Sequence, residues 1–307
     1  MLKAIVCGAR RARQGIGEYV CKYLHQEKVE ISAIVATSIE TQVLTAEHLK
    51  NTYGIECRGY VDLEEALQKE ECDIVVICTP FRSHGHLLEI AAKYNKNCLC
   101  DKPLVWDYPF TTERLITAFS SKFIDTITQW PFTLDSFYKI YPQVKEQKIQ
   151  NFSMLMSPIS IGQEMIIDAM PHVFSMLYSV VGDGDVTNVK CGFSLPKKQL
   201  LIEFTYRHKY TTTVQCKFIQ VKEQPRPAKY AINNYEVSRY VDTQGYKIYL
   251  CGNKQEIQIK DPLESLICHF IKSVQSSKAT DTNKLVSGVQ QLRCLYSIIQ
   301  QENMNIK

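Results

Sequence analysis

The sequence predicts an α/β protein in two parts: a doubly wound parallel sheet over 1–122, and an α/β domain with a large, open, mostly antiparallel sheet over 123–307. Three observations carry this. Apolar strands alternate with amphipathic helices from residue 3 to about residue 130, the rhythm of a sheet with helices on both faces. The strand segment 73–78 (DIVVIC) is almost unbroken apolar sequence, as burial on both faces requires. Further on, Val214, Cys216 and Phe218 alternate with Gln215 and Lys217, the mark of a sheet with one wet face.

The elements follow in order. Strands are expected at 3–8, 31–36, 58–61, 73–79, 97–100 and 123–128, with helices at 15–26, 45–53, 63–68, 84–94 and 111–121 between them. A strand at 152–156 and a helix at 163–181 open the second part, where Pro171 suggests that the helix starts or kinks. Gly252-Asn253 reads as a two-residue hairpin turn. Helices at 262–274 and 282–300 close the chain, the latter with Leu285, Val289, Leu292, Tyr296 and Ile299 in an apolar stripe.

Composition narrows the function. With 45% hydrophobic and 22% charged residues the chain is globular, and a net charge of +4 without an extended basic run argues against a nucleic-acid partner. No run is long and apolar enough for a membrane span, and the opening segment MLKAIVCG is too short for a secretory signal. The twelve cysteines include no Cys-x-x-Cys pair, and several fall in expected buried strands. They read as core residues in a reducing compartment, so the expectation is a cytoplasmic protein with a small-molecule substrate and no bound metal.

The ends of the strands hold the polar groups. The first strand runs into Gly8-Ala9-Arg10-Arg11-Ala12-Arg13-Gln14-Gly15-Ile16-Gly17 before a helix. This departs from G-x-G-x-x-G, since the loop is longer and Arg10 stands at the second glycine position. Even so, Gly8, Ala9, Gly15 and Ile16 sit where backbone amides at a helix N-terminus hold a pyrophosphate. The second strand ends in Val35-Ala36-Thr37-Ser38, with no carboxylate before Glu40. Thr37 and Ser38 with Arg10 or Arg11 suit a ribose 2′-phosphate, which favours NADP(H) over NAD(H); the alternative is a solvated arginine loop with Glu40 on the 2′-hydroxyl. Thr79, Pro80 and His84 follow the fourth strand, and Asp101-Lys102-Pro103 ends the fifth. A lysine there can meet both a nicotinamide and a hydroxyl, whereas His84 has the second option of capping the next helix and His86 reads as surface. Asp168 and His172 lie four residues apart on one helix face, as a catalytic pair or an ordinary structural one.

Taken together, Thr79-Pro80 with His84, Asp101-Lys102-Pro103 and Asp168-Ala169-Met170-Pro171-His172 resemble the motifs of the glucose-fructose oxidoreductase and inositol dehydrogenase family. The resemblance implies a Rossmann-like N-terminal domain, a nicotinamide cofactor contacted by Gly8, Ala9, Arg10, Arg11, Gly15, Ile16, Thr37, Ser38, Thr79, Pro80, His84, Asp101 and Lys102, and a homodimer or homotetramer. It also places Lys102 and His172 at the reacting carbon. Histidine suits a base at neutral pH, Asp168 can orient it or bind a substrate hydroxyl, and Lys102 can polarise a developing alkoxide. The sequence departs from the family after the sixth strand, where Gln129, Trp130 and Phe132 stand in place of a basic group. Gln129 and Trp130 are candidates to contact substrate, with interdomain core as the other reading. The expected activity is hydride transfer to or from a secondary alcohol or ketone of a sugar, sugar phosphate, nucleotide sugar or cyclitol. The alternatives are a non-catalytic dinucleotide- or sugar-binding regulator and a reductase of a non-sugar ring such as a tetrapyrrole or cyclic imine.

Overall fold

In the computed structural model, which describes residues 1–10, 15–106, 112–119, 121–194 and 196–305 (of 302–305 the backbone alone), the chain divides into two compact units. The first comprises Met1–Ile127 and Leu263–Val286, the second Thr128–Pro262 and Ser287–Lys307. Segment Leu263–Val286 thus groups with the first unit although it lies beyond the second sheet in sequence.

In the first unit β1 (Lys3–Cys7), β2 (Glu30–Val35), β3 (Arg58–Tyr60), β4 (Ile74–Ile77), β5 (Asn97–Asp101) and β6 (Ile124–Ile127) form one sheet in the order β3-β2-β1-β4-β5-β6. Every pairing is parallel. Helices α1 (Gly17–Gln26), α2 (Ile39–Tyr53), α3 (Leu63–Lys69), α4 (His84–Lys93) and α5 (Thr112–Thr117) lie between the strands in sequence. All four residues of β4 are fully buried, which explains its unbroken apolar sequence. After β3 the chain returns to the middle of the sheet, so β1 and β4 become neighbours at the point where the winding reverses. Ligands of such sheets bind at this switch point, beyond the carboxyl ends of the strands.

Helix α2 begins six residues before its expected start. Ser38 caps it, with its Oγ accepting from Thr41 N at 3.2 Å, but Ile39, Val43 and Leu44 in its first turns are exposed. They break the apolar stripe by which a sequence reading finds a helix. Within the same unit the later segment 263–286 is tied to β6: Thr280 Oγ1 accepts from Ile124 N at 3.0 Å, Lys284 pairs with Asp125 at 2.9 Å, and the Phe270 ring lies 5.6 Å from that of Phe123.

The second unit contains α6 (Leu134–Ile140), β7 (Asn151–Met156), α7 (Glu164–Val180), β8 (Asp185–Ser194), β9 (Gln199–Arg207), β10 (Thr211–Ile219), β11 (Lys229–Ile232), β12 (Tyr235–Asp242), β13 (Lys247–Gly252) and β14 (Gln255–Ile259). Its eight strands pair in the order β14-β13-β12-β11-β7-β10-β9-β8, antiparallel except for β7 beside β10. On β10, Thr212, Val214, Cys216 and Phe218 are buried while the residues between them are exposed, as the alternation requires. Helices α8 (Pro262–Gln275) and α9 (Thr282–Asn305) end the chain.

Two local expectations are corrected. The β13–β14 hairpin turns at Asn253 and Lys254, with φ of 49° and 58°, rather than at Gly252-Asn253, because Gly252 is paired with Gln255. These two positive φ values are those of a type I′ turn. Helix α7 runs through Pro171 without starting there. Proline removes one amide from the ladder, and burial of Met165, Ile166, Ala169, Met170, Val173, Phe174 and Leu177 holds the helix regardless.

Candidate active site

The carboxyl edge of the parallel sheet gathers most of the residues expected to hold a dinucleotide. Gly8 follows β1 with φ of 81°, and a Cβ there would stand 2.7 Å from the Cys78 carbonyl oxygen. Gly17 opens α1, where a Cβ would fall 2.0 Å from the Gly8 carbonyl oxygen. One glycine makes the turn at the β1/β4 junction and the other lets the helix sit directly on the strand end, as a phosphate-binding strand-to-helix turn needs. At the start of α1 the cap position, Ile16, supplies no side-chain hydrogen bond. Gly15 and Ile16 are half-buried, Ala9 is buried and Arg10 is exposed. Arg11 lies outside the described residues.

The turn after β2 presents Thr37 and Ser38, both exposed. Besides accepting from Thr41 N, Ser38 Oγ donates to Thr41 Oγ1 at 2.9 Å, so its hydroxyl is engaged in capping α2. Glu40 is exposed in the first turn of that helix.

After β4, Thr79 is half-buried and its Oγ1 accepts from Ser83 Oγ at 2.7 Å, while Pro80 is exposed. His84 is 0% exposed, which corrects the expectation that it contacts a cofactor. Its Nδ1 lies 2.8 Å from the Pro103 carbonyl oxygen and its Nε2 2.8 Å from that of Thr79. The ring therefore ties the ends of β4 and β5 together, next to Lys102. His84→Ala would remove the ring N–H from whichever of these two carbonyls it donates to and leave the space between them unfilled. The expected cost is about 3 kcal/mol in urea unfolding, with part of it recovered in His84→Gln, whose amide can reach one of them. His86 is exposed, as expected. At the end of β5, Asp101 Oδ1 accepts from Lys102 N at 2.8 Å, the Lys102–Pro103 peptide is cis, and Lys102 is half-buried.

In the second unit α7 carries Asp168 and His172 one turn apart. Asp168 is half-buried, and its Oδ2 accepts from Ser160 Oγ at 3.0 Å and from Ile159 N at 3.3 Å, which fixes the carboxylate against the loop before the helix. His172 is 6% exposed. The turn holding Trp130 packs against α7, with Gln129 half-buried at its start. Trp130 itself is 4% exposed, edge-on to Tyr230 with ring centroids 6.3 Å apart. It is a core ring of this unit, so the expectation of a substrate contact from Trp130 is corrected. Thr133, in the same turn, shares a 2.9 Å hydrogen bond with the Tyr230 hydroxyl.

Two residues escaped the sequence reading. Arg226 stands close enough for the Asp168 charge to act on it, and Arg239 lies 5.5 Å from the centroid of the Trp130 ring. A weak signal for Arg226 was its place between Pro225 and Pro227. All twelve cysteines are free, and burial pushes the Cys7, Cys98 and Cys100 thiols up, away from reactivity. Among the described residues no group of three or more His, Cys, Asp or Glu is placed to hold a metal, and no helix is long and apolar enough to cross a membrane.

Comparison with known proteins bears first on the N-terminal part. Residues 2–122 match the model of an oxidoreductase family with an NAD-binding Rossmann fold, as the sequence resemblance implied. Among curated proteins, none matches the sequence. Solved structures do match the whole chain. Myo-inositol 2-dehydrogenase from Lactobacillus plantarum is 15% identical with a TM-score of 0.72, covering 99% of this chain and 97% of its own. UDP-N-acetylglucosamine 3-dehydrogenase from Acidithiobacillus ferrooxidans is 15% identical with a TM-score of 0.68, covering 96% and 97%. Biliverdin reductase from Synechocystis sp. PCC 6803, in complex with biliverdin and NADP+, is 12% identical with a TM-score of 0.66, covering 96% and 98%. The substrate names of these three differ widely, and at such identities the likeness is one of fold.

Proposed function

Because residues 2–122 match the model of an oxidoreductase family with an NAD-binding Rossmann fold, we propose that this chain is a nicotinamide-dependent dehydrogenase or reductase that acts on a secondary alcohol or ketone of a sugar, sugar phosphate, nucleotide sugar or cyclitol. The observation that carries the reading is the carboxyl edge of the parallel sheet: Gly8 and Gly17 form a close turn at the β1/β4 switch point, and Lys102 stands at the end of β5, the strand beside β4. The start of α1, to which Ile16 gives no side-chain hydrogen bond, and the closeness of its backbone to β1 suit a pyrophosphate. A bound nicotinamide supplies the hydride acceptor or donor.

The chain's own residues handle the proton and the charge. In the oxidative direction an imidazole nitrogen of His172 takes the hydroxyl proton as the carbonyl forms, and in reduction it returns that proton. Asp168, held by Ser160 and Ile159, orients a substrate hydroxyl or the imidazole. Lys102 stabilises the negative charge on the reacting oxygen. We assign NADP(H) as the preferred cofactor through Arg10 and Thr37; since the Ser38 hydroxyl caps α2, the part of Ser38 is to place the positive end of that helix at the 2′-phosphate. The ring-reductase alternative drew on Trp130 and Phe132; burial of Trp130 removes one of these supports, while Phe132 is half-buried. The free cysteines support a reducing compartment, the cytoplasm.

The test is calorimetric titration of the protein with NADPH and NADH in parallel, followed by a screen of polyols and their ketones for hydride transfer. NADPH is expected to bind at least about tenfold more tightly than NADH, the worth of a charge-assisted contact to one phosphate. Equal affinities would reassign the ribose contact to Glu40 and NAD. Binding without turnover of any hydroxylated substrate would leave a regulator. Sedimentation velocity on the same sample reads the proposed homodimer or homotetramer.

A further inference from the structure

Arg226 and Arg239 of the second unit have no part in the chemistry assigned above, yet both are costly to keep where they are. Arg226 follows β10 in the loop leading to β11, and its Nη1 donates to the Ser157 carbonyl at 3.3 Å, just beyond β7. Arg239 belongs to β12, and its Nη2 donates to the Arg226 carbonyl at 3.2 Å. Its guanidinium lies over the buried Trp130 ring. A guanidinium has five N–H donors, and among the described residues each of these two has a single hydrogen bond. The Nε atoms of both are buried without a partner.

Burial pushes both guanidinium groups down from their usual range. Asp168 opposes this at Arg226, as Tyr246 and Asp261 do at Arg239. Two half-buried cations with most of their donors unused, joined through the Arg226 carbonyl, with Asp168 acting on Arg226, make an environment that an external oxyanion completes. The planar forks of arginine match carboxylate and phosphate oxygens in pairs.

We propose that Arg226 and Arg239 form an oxyanion subsite beside Asp168, so that the substrate of the reaction proposed above is a hydroxylated compound carrying a carboxylate or phosphate group. The inference rests on that reading for the word substrate. The subsite itself is a property of the second unit. Asp168 and the arginines have complementary tasks: the carboxylate receives hydroxyl groups, and the guanidinium pair receives the charged end. A neutral polyol would satisfy the first and leave the second empty.

The experiment is calorimetry on protein saturated with NADP+, so that the dinucleotide loop is filled, titrated with glucose 6-phosphate, glucuronate and glucose. At least one anionic sugar is expected to bind about tenfold or more tightly than glucose, and Arg226→Met to shrink that margin to about twofold, with Arg226→Lys keeping part of it. Which of the two anions gains more tells phosphate from carboxylate. Equal binding of all three sugars, no binding of either anion, or a margin unchanged in Arg226→Met would overturn the proposal. Because the readout is binding, a chain that failed to transfer hydride would still give a valid result here, and a failed subsite would leave the NADPH titration standing.

Discussion

His172→Ala is expected to lower kcat by about 10²–10⁴-fold while the affinity for NADPH stays within a few-fold, as measured by steady-state kinetics beside direct cofactor titration. The size follows from the role. Without a base the hydroxyl proton has to leave to water in the transition state, and general-base catalysis of that step is worth this range. Cofactor affinity is spared because the dinucleotide loop belongs to the first unit and His172 to the second. Lys102→Met should cost about 10²–10³-fold through loss of charge stabilisation at the reacting oxygen. Asp168→Ala separates substrate classes: a heavy loss fits a hydroxylated substrate, and little loss fits reduction of a ring that needs only an acid. Turnover retained in both His172→Ala and Lys102→Met would sink the assignment of these residues to the chemistry.

Gly17→Ala should have the largest effect on the fold. The added carbon would stand 2.0 Å from the Gly8 carbonyl oxygen, 2.9 Å from its carbon and 3.0 Å from Ala9 Cα. All three are backbone atoms, so no rotamer change relieves the clash, and α1 has to lift away from β1. Val20, Cys21 and Leu24, each 0% exposed on that helix, would lose their packing. We expect a loss of about 3 kcal/mol or more in urea unfolding. NADPH binding should weaken by at least about tenfold, since the amides at the helix start move with it. Gly288→Ala is the control: an added Cβ meets nothing within 4 Å inside α9, and the change should be neutral or stabilising by up to ~1 kcal/mol. A Gly17→Ala protein as stable as the parent would mean that the helix does not sit on the strand as described.

The parallel sheet was legible because burial on both faces forces continuous apolar strands, and those of β1, β2 and β4 stand out from their surroundings. The edge that holds Gly8, Thr79 and Lys102 was legible for the same reason: once strand ends are located, parallel pairing brings them to one side. Roles that depend on burial were hidden. Nothing local distinguishes His84, closed between two carbonyls, from a histidine facing a ligand, and Trp130 reads the same whether it lines a pocket or fills a core. The arginines were hidden by distance along the chain. An aromatic residue and an amide follow β6 where a basic group was looked for, yet a guanidinium does lie over Trp130, supplied from β12.

The return of residues 263–286 to the first unit sets a clock on synthesis. A ribosome delivers β1 to β6 early, but Phe270 against Phe123, Thr280 against Ile124 and Lys284 against Asp125 wait until the second sheet has been made and residues 263–286 follow it. Through all the time that the second sheet is being translated, β6 waits without these partners. Whatever cofactor this sheet holds meets its finished form only once residue 286 has been added, and a chain broken off between residues 127 and 263 carries every strand of the sheet without the segment tied to its last one.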